Sequence, residues 1–240
     1  GCYGYFRPTT PNLDAFAAEA LVFERAFAPM ASTLPSHLTM LTGLYPHQHG
    51  MTSNRRGAST PFTSELGRLS AAAVLAEAGY RTAAFVSAAP LSQRTGIQAG
   101  FQHYSAREEA PGTSQRAADT TRLVLEWLGQ QGESAAPLFL WVHYFDPHEP
   151  NDPPPRFAPR FTTDERLRAW IRGRGIDPAA LAARYAHSTR VRRHFLRNDL
   201  SAGREDPAVA LEVTLDSVAD LVNSYDAELA YLPTHWVEIH

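Results

Sequence analysis

Five stretches of the chain carry apolar residues at helical spacing, and three carry them as short continuous runs. "TTPNLDAFAAEA" (residues 9–20) predicts a helix. Thr9 or Thr10 can cap it, Pro11 suits its first turn, and Leu13, Phe16, Ala17 and Ala20 share a face. "LVFERAFA" (21–28) follows as a strand. "PSHLTMLTG" (35–43) predicts a short helix with Pro35 in its first turn and Gly43 as its stop. After a polar loop over 51–64, "ELGRLSAAAVLAEAG" (65–79) reads as one helix with Leu66, Leu69, Ala73 and Ala76 on one face. "YRTAAFVS" (80–87) is a buried strand. "TSQRAADTTRLVLEWLGQQ" (113–131) is a helix, and "APLFLWVHYF" (136–145) an apolar strand of the kind covered on both faces.

A helix followed by a buried strand thus occurs three times. That order predicts an α/β fold with a mostly parallel sheet between helices. The character changes near residue 150. "DPHEPNDPPPRFAPRF" (146–161) has too much proline for a helix or central strand. Residues 163–199 are Arg-rich and helical in tendency, so about 156–205 reads as a helical insertion or cap on a domain spanning 1–240. Residues 206–232 predict one long helix, with Leu211, Leu215, Val218, Val222, Tyr225, Leu229 and Leu232 on its apolar stripe.

The bulk numbers add exclusions. A net charge of -3 points to no polyanion-binding field, so a nucleic-acid partner is not expected. One cysteine, Cys2, rules out a disulfide framework, a zinc–thiolate cluster and a Cys-x-x-Cys redox pair. No stretch approaches the ~20 apolar residues of a membrane span. All 22 basic residues are arginine. The compartment and the oligomeric state stay open; a signal upstream of Gly1 would make the protein periplasmic, extracellular or membrane-attached.

Candidate chemistry concentrates in "ASTLPSHLTMLTGLYPHQHG" (31–50). Thr33 stands two residues before Pro35, at a helix entrance where unpaired N–H groups favour a phosphate or sulfate. A hydroxyl there attacks an ester only once a metal or base lowers its pKa. The alternative is that Ser32 or Thr33 caps the helix. His47 and His49 are either a metal pair or loop hydrogen-bonding groups. His143, Asp146 and His148 gather where a buried strand ends, which is where ligands sit in open α/β sheets. The alternative there is an Asp-Pro turn with a structural histidine. Asp226 and Glu228 lie two apart on the late helix. They do not share a face, and a solvated face is expected for at least one of them.

Taken together, these stretches closely resemble the sulfatase family of the alkaline-phosphatase superfamily. The resemblance rests on "GCYGY", "TTPNLDAF", the Ala-Pro step, "TLPSH" and "LTGLYPHQHG", then on "EAGYRTAAFVS", "GFQHY" and "FLWVHYFDPHEP" in order. It covers about residues 1–155 and again 222–232, and implies an alkaline-phosphatase-like fold. Family sulfatases carry Cys or Ser, converted to formylglycine, in nucleophile-x-Pro-Ser-Arg. Here the corresponding residues are Thr33, Leu34, Pro35, Ser36 and His37. The lysines that grip sulfate in the family have no counterpart, since "AAFVSAAPL" stands where Gly-Lys-Trp-His is usual.

The resemblance therefore implies a Thr33 alkoxide attacking phosphorus or sulfur, with Thr33 also a metal ligand. His148 binds the transferred group or protonates the leaving group, and His37 orients the nucleophile region. Ser36, His143 and Asp146 serve as substrate contacts. The implied cofactor is a divalent metal (Ca, Mn, Mg or Zn). The family's metal carboxylates, two aspartates before the Tyr-Gly motif and a later Asp-His-Gly, have no match, so the chain is expected to be an incomplete piece with little activity by itself. The expected function is metal-dependent hydrolysis of sulfate or phosphate esters of small molecules, glycans or lipids. The rivals are a phosphoethanolamine-type phosphoryl transferase and a non-catalytic sulfatase-like binding module.

Overall fold

The computed structural model describes residues 1–54, 62, 64–106, 116–132, 134–148, 151–186 and 211–236, with side chains omitted at 64 and 232–236. In chain order the helices are α1 (Pro11–Ala17), α2 (Thr33–Thr42), α3 (Pro46–His49), α4 (Ser64–Gly67), α5 (Ala71–Glu77), α6 (Ala117–Gln130), α7 (Glu165–Gly173), α8 (Pro178–Tyr185) and α9 (Leu215–Trp236). The strands are β1 (Arg81–Val86), β2 (His103–Ala106) and β3 (Leu138–His143). The chain divides into two compact units, one of residues 19–145 with 235–240, the other of 1–18 with 146–234.

The first unit holds the sheet. Its strand order is β2-β1-β3 and both pairings are parallel, with Ala83 opposite His103 and Leu140. Successive side chains of a strand point to opposite faces, and β1 uses both. Val86 joins Leu34, Leu38 and Leu41 of α2 in one apolar cluster. Ala83 and Phe85 join Val124 of α6 in another. Helices therefore cover both faces, as the helix–strand alternation predicts. Burying each of the three α2 leucines contributes about 1.5–3 kcal/mol. The central strand β1 is almost wholly buried, whereas β3, which among the described strands lies next to β1 only, is half-buried along its length.

Two predicted elements differ. Residues 21–28 form no strand: Leu21, Phe23 and Phe27 stay 65–88% exposed, and no described strand lies beside them to complete their hydrogen bonds. An extended run needs such a neighbour, whatever its propensity. The helix predicted over 65–79 is two helices, because the Ser70 hydroxyl accepts the Ala73 N–H and starts α5 afresh, leaving Leu69 exposed.

The start of α5 packs against a glycine just before β2 that nothing larger can replace. Gly100 has φ +92°, and a Cβ there would stand 2.3 Å from the Ala73 nitrogen. Gly100→Ala is expected to cost about 3 kcal/mol, from backbone strain plus overpacking. A shift of the urea midpoint at unchanged m-value would show it; a midpoint equal to the parent's would refute it.

The second unit is helical. Leu167 and Ile171 of α7 pack with Val218 and Ala219 of α9, and Phe6 and Trp170 lie against them. The Arg-rich helices thus share one core with the late helix and the first residues of the chain. That late helix begins at Leu215; 211–214 are irregular, and 187–210 lie outside the described residues.

Candidate active site

The sequence leaves Thr33 as cap or nucleophile, and the hydrogen bonds around α2 show what caps the helix. Ser32 is the N-cap residue by backbone conformation (φ -142°, ψ 137°), yet its side chain accepts no helix N–H. The cap comes instead from Asn54, whose Oδ1 accepts the Leu34 N–H at 2.8 Å and the Ser32 hydroxyl at 3.1 Å. Inside the helix, Thr39 donates to the Pro35 carbonyl and Thr42 to the Leu38 carbonyl. These are the usual back-bonds of hydroxyls in helices. The Thr33 and Ser36 hydroxyls make no hydrogen bond among the described residues. Both are half-buried. Thr33 therefore presents an uncommitted hydroxyl in the first turn of a helix.

His37 lies one turn further on. Its Nδ1 donates to the Thr33 carbonyl at 2.7 Å, which leaves Nε2 as the lone-pair nitrogen. Burial pushes its pKa below the usual imidazole value, and the bond to Thr33 only partly opposes this. The ring is therefore neutral at pH 7. It meets the His143 ring edge-on, centroids 5.0 Å apart, and the Trp141 ring at 5.7 Å. His143 is the last residue of β3, and its carbonyl accepts the Ser87 hydroxyl at 2.7 Å, while Ser87 also pairs with Thr120 of α6. Ser87 thus ties together the ends of β1 and β3. Four of the six sequence candidates, Thr33, Ser36, His37 and His143, belong to α2 and β3 of the sheet unit. Asp146 and His148 belong to the other unit; Asp146 is half-buried and His148 exposed.

The remaining candidates have structural work. His49 is buried. Its Nδ1 accepts the Met51 N–H at 3.1 Å, and its Nε2 meets the Thr39 hydroxyl at 3.3 Å. His47 stacks on Tyr45. The two are not a metal pair, since each is engaged elsewhere and two residues on a helix diverge.

Asp226 and Glu228 correct the expectation of a solvated face: they are 2% and 4% exposed. Asp226 accepts from the Tyr5 hydroxyl at 2.8 Å and from Arg7 Nη1 at 2.9 Å. Glu228 accepts from the Asn151 side chain and the Asp152 N–H. They point to different faces, as their spacing requires. An apolar cavity of about 810 Å³ in this unit is walled by Tyr5, Trp170, Leu181, Val222 and Leu229. Asp226 lines it but is already paired with Arg7, and Thr33, His37 and His143 are not among its walls.

Burial lowers His37, His49 and His103 alike. The unfolded chain then takes up protons near the ordinary value of about 6.5 that the native state refuses. Stability is therefore lost as pH falls through that value toward the depressed native ones. The urea midpoint is expected to drop between pH 7.5 and 5.5, with a shallower drop in His49→Gln. Equal slopes for parent and variant would remove His49 from the account.

Asn54 and Ser87 escape a reading of the sequence. Asn54 lies twenty-one residues after Thr33, and only the tertiary fold returns it to the start of α2.

Comparison with known proteins follows the same outline. The sulfatase family model matches residues 1–232. Human N-sulphoglucosamine sulphohydrolase is 29% identical over 223 residues, 88% of this chain but 43% of that protein. Human arylsulfatase A is 39% identical over 82 residues, 34% of this chain and 16% of that protein. The phosphonate monoester hydrolase of Agrobacterium radiobacter superposes with a TM-score of 0.64 at 18% identity, over 99% of this chain and 55% of that one. A protein solved with its substrate D-glucosamine-2-N,6-O-disulfate gives 0.55 at 19% identity, over 96% of this chain and 55% of that one. At such identities the structural likeness shows the fold, and the chain spans less than half of the human sulphohydrolase.

Proposed function

This chain belongs to the sulfatase family, and from that premise we propose that it carries the nucleophile helix of a hydrolase acting on sulfate, phosphate or phosphonate esters. One observation carries the reading: at the family's nucleophile position Thr33 keeps a hydroxyl that no described group engages, while Asn54 takes over the capping. Thr33 gives its hydroxyl proton to solvent base as Oγ1 forms a bond to sulfur or phosphorus. The ester oxygen leaves with the bonding electron pair and takes a proton from an acid, for which His148 is the candidate. Water then cleaves the Thr33 ester and restores the hydroxyl. His37 holds the Thr33 carbonyl and so fixes the first turn of α2. Ser36, His143 and Asp146 contact the transferred group. A threonine in this role, with no lysine in the chain, departs from formylglycine chemistry.

The family resemblance also implies a divalent metal with Thr33 among its ligands. The described residues contain no group of three or more His, Cys, Asp or Glu able to hold one. By themselves the described residues do not fit the ion. The substrate class is a sulfate- or phosphate-type ester of a small molecule, glycan or lipid; the sulfated-sugar substrates named for two similar proteins favour a sugar ring.

A panel of 4-nitrophenyl sulfate, phosphate and phosphonate esters, each with Mn²⁺, Ca²⁺, Mg²⁺ or Zn²⁺, tests this. The 240 residues alone are expected to turn over none of them, and the complete enzyme at least one. A complete protein that binds sulfated sugars yet cleaves no ester with any metal would be the binding module instead.

A further inference from the structure

Resting on that reading of Thr33, we propose that Asn54 is a positioning residue for the nucleophile. Helices open with N–H groups that need acceptors, and a serine or threonine at the N-cap, the residue just before the first turn, is a usual source of one. In α2 that residue is Ser32, and Thr33 follows it directly, so the way this end is capped sets the backbone that carries the Thr33 hydroxyl. Here the cap comes from outside the helix. Asn54 Oδ1 accepts the Leu34 N–H at 2.8 Å and the Ser32 hydroxyl at 3.1 Å. Residue 35 is proline and has no N–H to satisfy, and the Ser36 N–H closes on the Ser32 carbonyl at 3.2 Å. The first turn is thereby satisfied at Leu34 and Ser36 without Thr33, whose hydroxyl stays uncommitted among the described residues.

The same carboxamide oxygen also restrains Ser32, the other hydroxyl able to cap α2. With Ser32 held by Asn54 on one side and the Thr33 carbonyl held by His37 on the other, the peptide units flanking Thr33 are fixed from two directions. Asn54 never touches the reacting atoms in this account; it acts through the helix end. The neutral amide matters as well. A carboxylate would serve as acceptor equally well, but would set a negative charge beside a site meant for an anion.

The test compares Asn54→Ala, Asn54→Asp and Thr33→Ala in the complete enzyme, on whichever 4-nitrophenyl ester the parent cleaves fastest. Amide hydrogen exchange at Leu34 is read in parallel. Asn54→Ala is expected to lower kcat at least about tenfold with little change in KM, and to speed Leu34 exchange. Asn54→Asp restores the acceptor: Leu34 protection returns, kcat recovers to within about threefold, and KM rises through charge repulsion. A merely structural role would lower the folded fraction, read by a thermal melt, and leave kcat per folded molecule at the parental value. Parental kcat in Asn54→Ala, unchanged Leu34 exchange there, or an Asn54→Asp variant as slow as Asn54→Ala at saturation each overturns the proposal. An inactive Thr33→Ala beside a fast Asn54→Ala removes the role of Asn54 alone. A fully active Thr33→Ala removes the nucleophile and this role with it.

Discussion

Replacing Thr33 by alanine is expected to lower turnover by the complete enzyme more than about 10³-fold while leaving its Tm within about 2 °C. The two halves of this expectation come from one fact. The Thr33 hydroxyl makes no hydrogen bond among the described residues, so its loss removes no described bond. Alanine is also the better helix former at that position. A residue that only capped α2 would behave the opposite way, losing stability and sparing the chemistry. Thr33→Ser keeps a hydroxyl and is expected to retain activity within about tenfold of the parent. Steady-state kinetics beside a thermal melt decides the matter. Undiminished kcat in Thr33→Ala would end the nucleophile assignment.

Arg7→Ala is expected to be the most destabilising single change in the helical unit, by about 3–5 kcal/mol. Arg7 and Asp226 form a buried ion pair at 2.9 Å, and the same guanidinium reaches Asn223 at 2.7 Å and the Thr162 carbonyl at 2.8 Å. Removing it strands the Asp226 carboxylate with the Tyr5 hydroxyl as its remaining donor among the described residues. Burial already raises Asp226 above the usual carboxylate value, against the pull of Arg7 and Tyr5. Without Arg7 it rises further. A carboxyl whose native pKa is raised binds more protons folded than unfolded above about pH 4, so its contribution to stability falls as pH climbs from there to the native pKa. The loss in Arg7→Ala is therefore larger at pH 8 than at pH 5. Chemical denaturation at the two pH values measures it; a loss that is equal at both would show that Asp226 is not the group left exposed to the penalty.

The parallel sheet and the α2 helix were legible because each uses a local signal. "YRTAAFV" and "LFLWV" are short β-branched or aromatic runs bounded by turn residues, and Gly43 ends α2 in the left-handed conformation (φ 71°). Residues 21–28 carry an equally good local signal and form no strand, since a strand is a pairing and its partner is not encoded in the run itself. The apolar stripe on α9 misled at Tyr225. Tyr225 is 44% exposed while its neighbour Asp226 is buried, because Arg7 and Tyr5, more than two hundred residues away in sequence, neutralise the carboxylate there.

What the sequence determined by itself is therefore the family, the α/β order and the position at which a nucleophile is expected. Each depends on residue type and spacing alone. Tertiary structure decided which groups are spoken for. Thr39, Thr42 and His49 are engaged within their own segment, and Asn54 returns across a loop to cap α2. A distant asparagine accepts the Leu34 N–H and the Ser32 hydroxyl at the start of α2 and leaves the Thr33 hydroxyl unengaged among the described residues, through contacts that local sequence pattern does not specify.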